Sequence, residues 1–202
     1  MPDDSNLYYL IVLNLTQRFQ TSTCLSGKIL LSHPSLRDPN FAKTIVFLSS
    51  HSDEHGTLGV ILNRPTGKKL GDLDKQFQVV DFSGVPVFEG GPVEREKLIV
   101  AAWEWLNDPS SFKLYFGIDL EKARSLREEN PNVQLACFLG HSGWSPGQLE
   151  TELDEDAWLV HNLDHDLFSQ MESESRIWKT IVGSMSDDLR LLVDAPDDPL
   201  RN

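Results

Sequence analysis

Cysteine is scarce in this sequence: Cys24 and Cys137 are the only two, and neither belongs to a Cys-x-x-Cys pair. That excludes zinc ribbons and dithiol redox motifs. Two buried free thiols in a reducing compartment are the expected state. Positive charge is also short. Lys and Arg total 18 against 31 Asp and Glu, for a formal charge of −13, and no basic run exceeds Lys68–Lys69. Such a field opposes phosphate backbones and anionic lipid, so neither direct nucleic-acid binding nor membrane association is expected. The apolar stretch LYYLIVLNL (7–15) falls far below the ~20 residues that span a bilayer. Asp3 and Asp4 precede it with no Lys or Arg, the wrong charge for a secretory leader, and the cytoplasm is the expected compartment. No internal repeat and no Gly/Ser or Pro-rich linker interrupts the chain. No phosphate loop is present either: Gly90–Gly91 lacks both the Lys-Ser/Thr ending and the GxGxxG spacing, and no cofactor is expected.

What remains is an ordinary globular mixture, 40% apolar and 24% charged over 202 residues. The length suits one large domain. Residues 1–23 read as an extension without an evident strand partner, 24–190 as the folded domain, and 191–202 as an acidic, flexible tail. Apolar, β-branched runs bounded by turn formers mark strands at 27–33, 44–51, 57–63, 97–105 and 133–140, with shorter candidates at 85–88, 113–118 and 157–160. The near-continuous apolar character of these runs implies strands covered on both faces. Helical spacing marks 69–77, 119–130, 146–153, 164–170 and 174–185, with Asp119 as a cap and Pro131 as a stop. Strands and helices intermix without strict alternation, which favours α+β or a mixed α/β sheet.

Four blocks, read together, carry a resemblance. They are GKILLSHPSLRDPNFAKTIVFLSSH (27–51), GTLGVILNRPTGKKLGDL (56–73), VFEGGPVERE (87–96) and FLGHSGWSPGQLETEL (138–153). In order and spacing they resemble the YqgE/AlgH family of bacterial proteins, over roughly residues 25–190; residues 1–23 lie outside the pattern. The resemblance implies an α+β fold with a mixed β-sheet partly closed toward a barrel and flanked by helices. It implies no established biochemical activity, and its AlgH label suggests an indirect regulatory role.

Each block has a structural and a functional reading. Asp38 before Pro39 is a helix-start signature that would make one tight turn and aim Phe41 inward. The functional alternative uses His33 and Asp38 to line a pocket at a strand end. In NRPTG, Asn63 can close a turn with its side chain. Arg64 is suited either to an internal ion pair, for example with Glu150, or to a bidentate hold on an anionic ligand. Gly90–Gly91 permits close approach of another backbone or of a ligand. In LGHSGWSPGQLETEL the glycines read as hinges, Ser145 as a cap with Pro146 behind it, and Trp144 as a packing anchor or pocket wall. Gly140-His141-Ser142-Gly143 is one residue short of the hydrolase elbow, so Ser142 is not expected to be a nucleophile.

Histidines stand four apart at His51/His55 and at His161/His165. The first pair falls in a turn and the second lacks the glutamate of a zinc-protease helix, so no metal ligands are expected. The preferred reading is a non-catalytic binding module for a small anionic ligand or a protein segment. Its expected ligand-binding residues are Arg64, Asn63, Gly90, Gly91, Trp144 and His33. The alternative is a hydrolase-like enzyme pairing Asp38 with His33 or His141, and a third reading is an adaptor docking through residues 1–22.

Overall fold

The structure is a computed structural model, and it describes residues 9–14, 25–78, 82–106, 111–163, 167 and 176–195; for 9–14 and 111 only the backbone is described. Ten strands form one mixed sheet, in the order β1-β8-β7-β9-β4-β3-β2-β10, with β5 and β6 attached beside β9. The strands are β1 (Tyr9–Asn14), β2 (Lys28–Ser32), β3 (Ile45–Ser52), β4 (Gly56–Ile61), β5 (Pro65–Lys69), β6 (Pro86–Glu89), β7 (Val93–Trp105), β8 (Ser111–Ile118), β9 (Gln134–Trp144) and β10 (Trp158–Asn162). Pairing is antiparallel except between β6 and β9. The helices are α1 (Leu70–Leu73), α2 (Leu120–Glu129), α3 (Gln148–Asp154), α4 (Arg176–Met185) and α5 (Asp187–Asp194). This is the expected α+β class. The sheet is curled but not closed: its path ends at β1 and β10.

Strand β9 makes the curl. Its residues Gln134–His141 pair with β7 and β6, whereas Ser142–Trp144 pair with β4. Between the two halves Gly140 takes φ +69°, a left-handed conformation that a side chain resists. The strand therefore turns a corner and joins two sheet halves, the usual way a sheet folds onto itself. The concave faces of both halves share one core. Ile29, Leu31, Ile45, Phe47, Val60 and Leu62 meet Ile99, Ala101, Trp103, Phe112, Ala136 and Phe138 there, and α4 covers them with Ile177, Trp178 and Val182.

The alternate residues fill two outer clusters, which explains the unbroken apolar runs. Val100, Ala102, Leu135 and Cys137 point to the side covered by α1 and α2. Leu30, Val46, Leu48 and Ile61 point to the side covered by the 38–43 turn and α3. Each of these strands is thus apolar on both faces because both faces are covered.

Three expectations are corrected. The apolar run near the start has a partner: β1 lies antiparallel to β8, Tyr9 opposite Phe116. That partner is distant in sequence, so no local turn signals it. Strand β9 runs four residues beyond the expected end at Gly140, through the stretch read as a hinge. One glycine bends the strand there without ending it. At the other end α5 extends to Asp194, into the segment read as a tail, and Ser186 caps it by accepting from the Leu189 N–H. The 164–170 helix lies largely outside the described residues, of which Leu167 alone is described and is helical. Cys24 also lies outside them.

Candidate functional site

The NRPTG residues serve the frame. Asn63 is buried, and its Oδ1 accepts from the Ile45 N–H at 2.8 Å while its Nδ2 donates to the Lys43 carbonyl at 2.9 Å. One amide thereby joins the end of β4 to the start of β3. Arg64 donates from Nη2 to the carbonyls of Pro39 (3.2 Å) and Ala42 (3.4 Å), so it clamps the 38–43 turn. Partial burial pulls its pKa below the usual arginine value, opposed by the fields of Glu89 and Asp38. An ion pair between Arg64 and Glu150, the example the sequence offered, does not form; Glu150 faces His51 at 3.4 Å instead. The reason is position. Arg64 leaves the far end of β4, and Trp144, beside α3, pairs with Thr57 at its near end. Arg64 follows Thr57 by seven residues and lies past the Ile61 end of β4.

The 38–43 turn is as expected. Asp38 accepts from the Asn40 N–H at 2.8 Å, and Phe41 turns in against Trp144 and Trp158, with ring centroids 6.1 and 5.5 Å away. His33 bonds through Nδ1 to Ser35 Oγ at 2.7 Å. No hydrogen bond or salt bridge joins Asp38 to His33 or to His141; the carboxylate facing His141 is Glu94, at 3.7 Å.

Gly90–Gly91 is a crossing point of backbones. A Cβ on Gly90 would stand 2.2 Å from the Gly140 carbonyl oxygen, and one on Gly140 would stand 2.7 Å from that of Gly91. The two glycine sites, fifty residues apart, therefore meet face to face at the corner of β9. Ser142 is fully buried beside them, its hydroxyl donating to the Gly90 carbonyl at 3.3 Å. Cys137 is buried, and desolvation pushes its thiol pKa up to about 12, far from a reactive thiolate.

Trp144 is anchored by a residue that sequence reasoning missed. Its Nε1 and that of Trp158 both donate to Glu152 Oε2, each at 2.8 Å, and Gln148 Nε2 donates to Oε1 at 2.9 Å. The cue was the i, i+4 pair Gln148/Glu152 lying between two tryptophans. Ser145 is not the helix cap. Gly147 holds that position at φ +75°, and Gln148 reaches back to accept from the Ser145 N–H at 3.0 Å. No side chain caps the helical N–H groups there; the Gln148 bond satisfies the Ser145 N–H, which lies ahead of the helix.

Beyond Trp144 a groove of about 760 Å³ opens between the β3–β4 hairpin end and the last residues of β9. His51, His55, His141, Ser50, Ser145 and Gly143 line it, together with Trp144. Arg64, Asn63, Gly90, Gly91 and His33 lie outside this lining, so of the expected binding residues only Trp144 reaches it. His141, shielded by its surroundings, titrates below the ordinary imidazole value because burial disfavours its charge, with Glu94 opposing the shift. His51 is fixed by Thr57, whose Oγ1 is 2.8 Å from Nδ1. Nε2, the other ring nitrogen, faces Glu150. Ligand atoms of His51, Asp53 and Glu150 all lie within 4.8 Å of one another, although the sequence suggested no such grouping.

Fold and groove together define a folded mixed-sheet α+β protein with a groove at a sheet corner. The chain belongs to the AlgH-like family (DUF179), whose profile matches residues 29–190. A UPF0301 protein of Streptomyces coelicolor is 36% identical over 189 residues, covering 88% of this chain and 95% of its own. A UPF0301 protein of Magnetococcus marinus is 34% identical over 181 residues, covering 85% and 94%. The solution structure of AlgH from Pseudomonas aeruginosa matches with TM-score 0.61 at 23% identity, covering 90% of this chain and 100% of that one. The crystal structure of DIP2367 from Corynebacterium diphtheriae matches with TM-score 0.64 at 20% identity, covering 88% and 95%. At those identities the two structures establish the fold alone. Among the described residues no helix is long and apolar enough to cross a membrane.

Proposed function

We propose that this chain is a non-catalytic binding module whose small polar ligand occupies the groove beside Trp144. The observation that carries the reading is the groove's lining: three histidines and several hydroxyls around one half of a rigid indole cage. A few polar groups converging beside an aromatic wall is the usual make-up of a small-molecule site. Catalysis has less support, because Ser142 is buried against a carbonyl, Cys137 is held as a thiol, and Asp38 pairs with neither His33 nor His141. On this reading Asn63, Arg64, Gly90 and Gly91 hold the frame and Trp144 forms the wall. A regulatory role would follow from ligand occupancy and not from DNA contact, given the charge of −13. We take the compartment to be the cytoplasm, in keeping with an unpaired cysteine.

Gly143 provides the test. It is exposed on the groove floor, and a Cβ there would meet nothing closer than His141 at 3.9 Å. Gly143→Phe would project a ring into the groove and leave the core alone. A thermal-shift panel of small metabolites should give hits on the parent that vanish in Gly143→Phe. Hits that persist in the variant would remove the groove from the account.

A further inference from the structure

The groove's rim holds a donor set of which the binding reading uses only His51. His51 lies in β3, just past the irregularity in pairing between Leu48 and Ser50 that offsets this strand against β4. Such irregularities re-aim side chains. Asp53 follows in the β3–β4 turn, and Glu150 comes from the first turn of α3, almost a hundred residues away. Their ligand atoms lie within 4.8 Å of one another. His51 Nε2 and Glu150 Oε1 are already 3.4 Å apart. Two donors each ~2.0–2.2 Å from one ion stand about 3–3.5 Å apart, so that edge needs no rearrangement. Asp53, exposed in a turn, is the donor that can close in.

The surroundings favour a cation. No hydrogen bond or salt bridge ties Asp53 to another described residue, and the only partner of Glu150 among them is His51. Two carboxylates are therefore gathered with no Lys or Arg between them, in a chain already at −13. His51 is well placed as the neutral ligand. Its Nδ1–H can donate to Thr57 Oγ1 at 2.8 Å, which fixes the ring and leaves the Nε2 lone pair toward the carboxylates. Side-chain exposure is 12% for His51, so the ring has little freedom to turn away.

We infer that His51, Asp53 and Glu150 form a binding site for a first-row divalent transition-metal ion at the edge of the groove. One imidazole nitrogen and two carboxylate oxygens favour that class over Mg²⁺ or Ca²⁺, which take all-oxygen sets. Three protein ligands leave positions open toward the groove, where water or a ligand's acceptor atom completes the coordination. The site stands independently of what occupies the groove, because ion binding is measured with no ligand added.

The experiment uses the full chain stripped of metal and titrated with Co²⁺ alone, followed by visible absorption and calorimetry. The expected result is one Co²⁺ per chain, displaced by Zn²⁺. His51→Gln, Glu150→Gln and Asp53→Asn should each weaken binding at least tenfold without altering the metal-free melting temperature. Asp53→Asn keeps the test decisive if either other variant folds poorly, since Asp53 is exposed. Thr57→Val should weaken binding about tenfold by freeing the ring. His161→Gln, remote from the cluster, should bind as the parent does. No binding, or binding that all three ligand variants leave unchanged, would overturn the assignment.

Discussion

At the scale of single residues, Glu152 carries more of the local structure than its half-exposed position suggests. It accepts from two indoles and one amide, and it joins α3 to β9 and β10. Glu152→Ala leaves two buried indole N–H groups without a partner. It should cost about 1–3 kcal/mol, read from urea denaturation, whereas Glu152→Gln keeps one acceptor and should cost less. Gly90→Ala drives a methyl into the Gly140 carbonyl, 2.2 Å away, and should cost about 1–3 kcal/mol by the same measurement. Cys137 should resist thiol reagents in a Cys24→Ser background at pH 8 and react only on unfolding, because its pKa is pushed up to about 12. Rapid native labelling would contradict its burial.

His141 supplies a pH dependence whose sign is fixed. Burial lowers its folded-state pKa below the ordinary imidazole value, so the unfolded chain binds the proton more readily. Stability from this group is present above the ordinary value and declines as pH falls from there through the lowered folded value. His141→Asn should flatten that part of the stability-versus-pH curve. Such a curve left unchanged by the substitution would show that His141 is solvated.

Among the elements, the core strands were legible because both their faces are apolar and their ends are marked by Gly, Pro and Asn. Helix α2 was legible from Asp119 and its 3.6-residue spacing, and Asp119 does accept from the Lys122 N–H at 2.7 Å. Two features were not. Strand β1 pairs with β8, about a hundred residues on, and pairing at that separation leaves no local signal. The corner of β9 looked like the end of a strand because its glycines read as hinges. Nothing nearby in the chain showed that Gly140 had Gly90–Gly91 as its backbone partner.

For the molecule as a whole, the family and the α+β class followed from four motif blocks, but the site did not. Arg64, Asn63, Gly90, Gly91, Trp144 and His33 were read together as the ligand-binding residues. In the structure Asn63 and Arg64 instead clamp one end of β4, and Trp144 stands at the other. The groove is lined by residues whose types are unremarkable in sequence, serines and histidines, and only the curl of the sheet gathers them. Glu150 meets His51 for the same reason. The most direct measurement is native mass spectrometry of the parent and of Gly143→Phe, each purified from its own host. Occupancy of the groove predicts a small-molecule adduct on the parent that is missing from the folded variant. The same adduct, undiminished on Gly143→Phe, would contradict it.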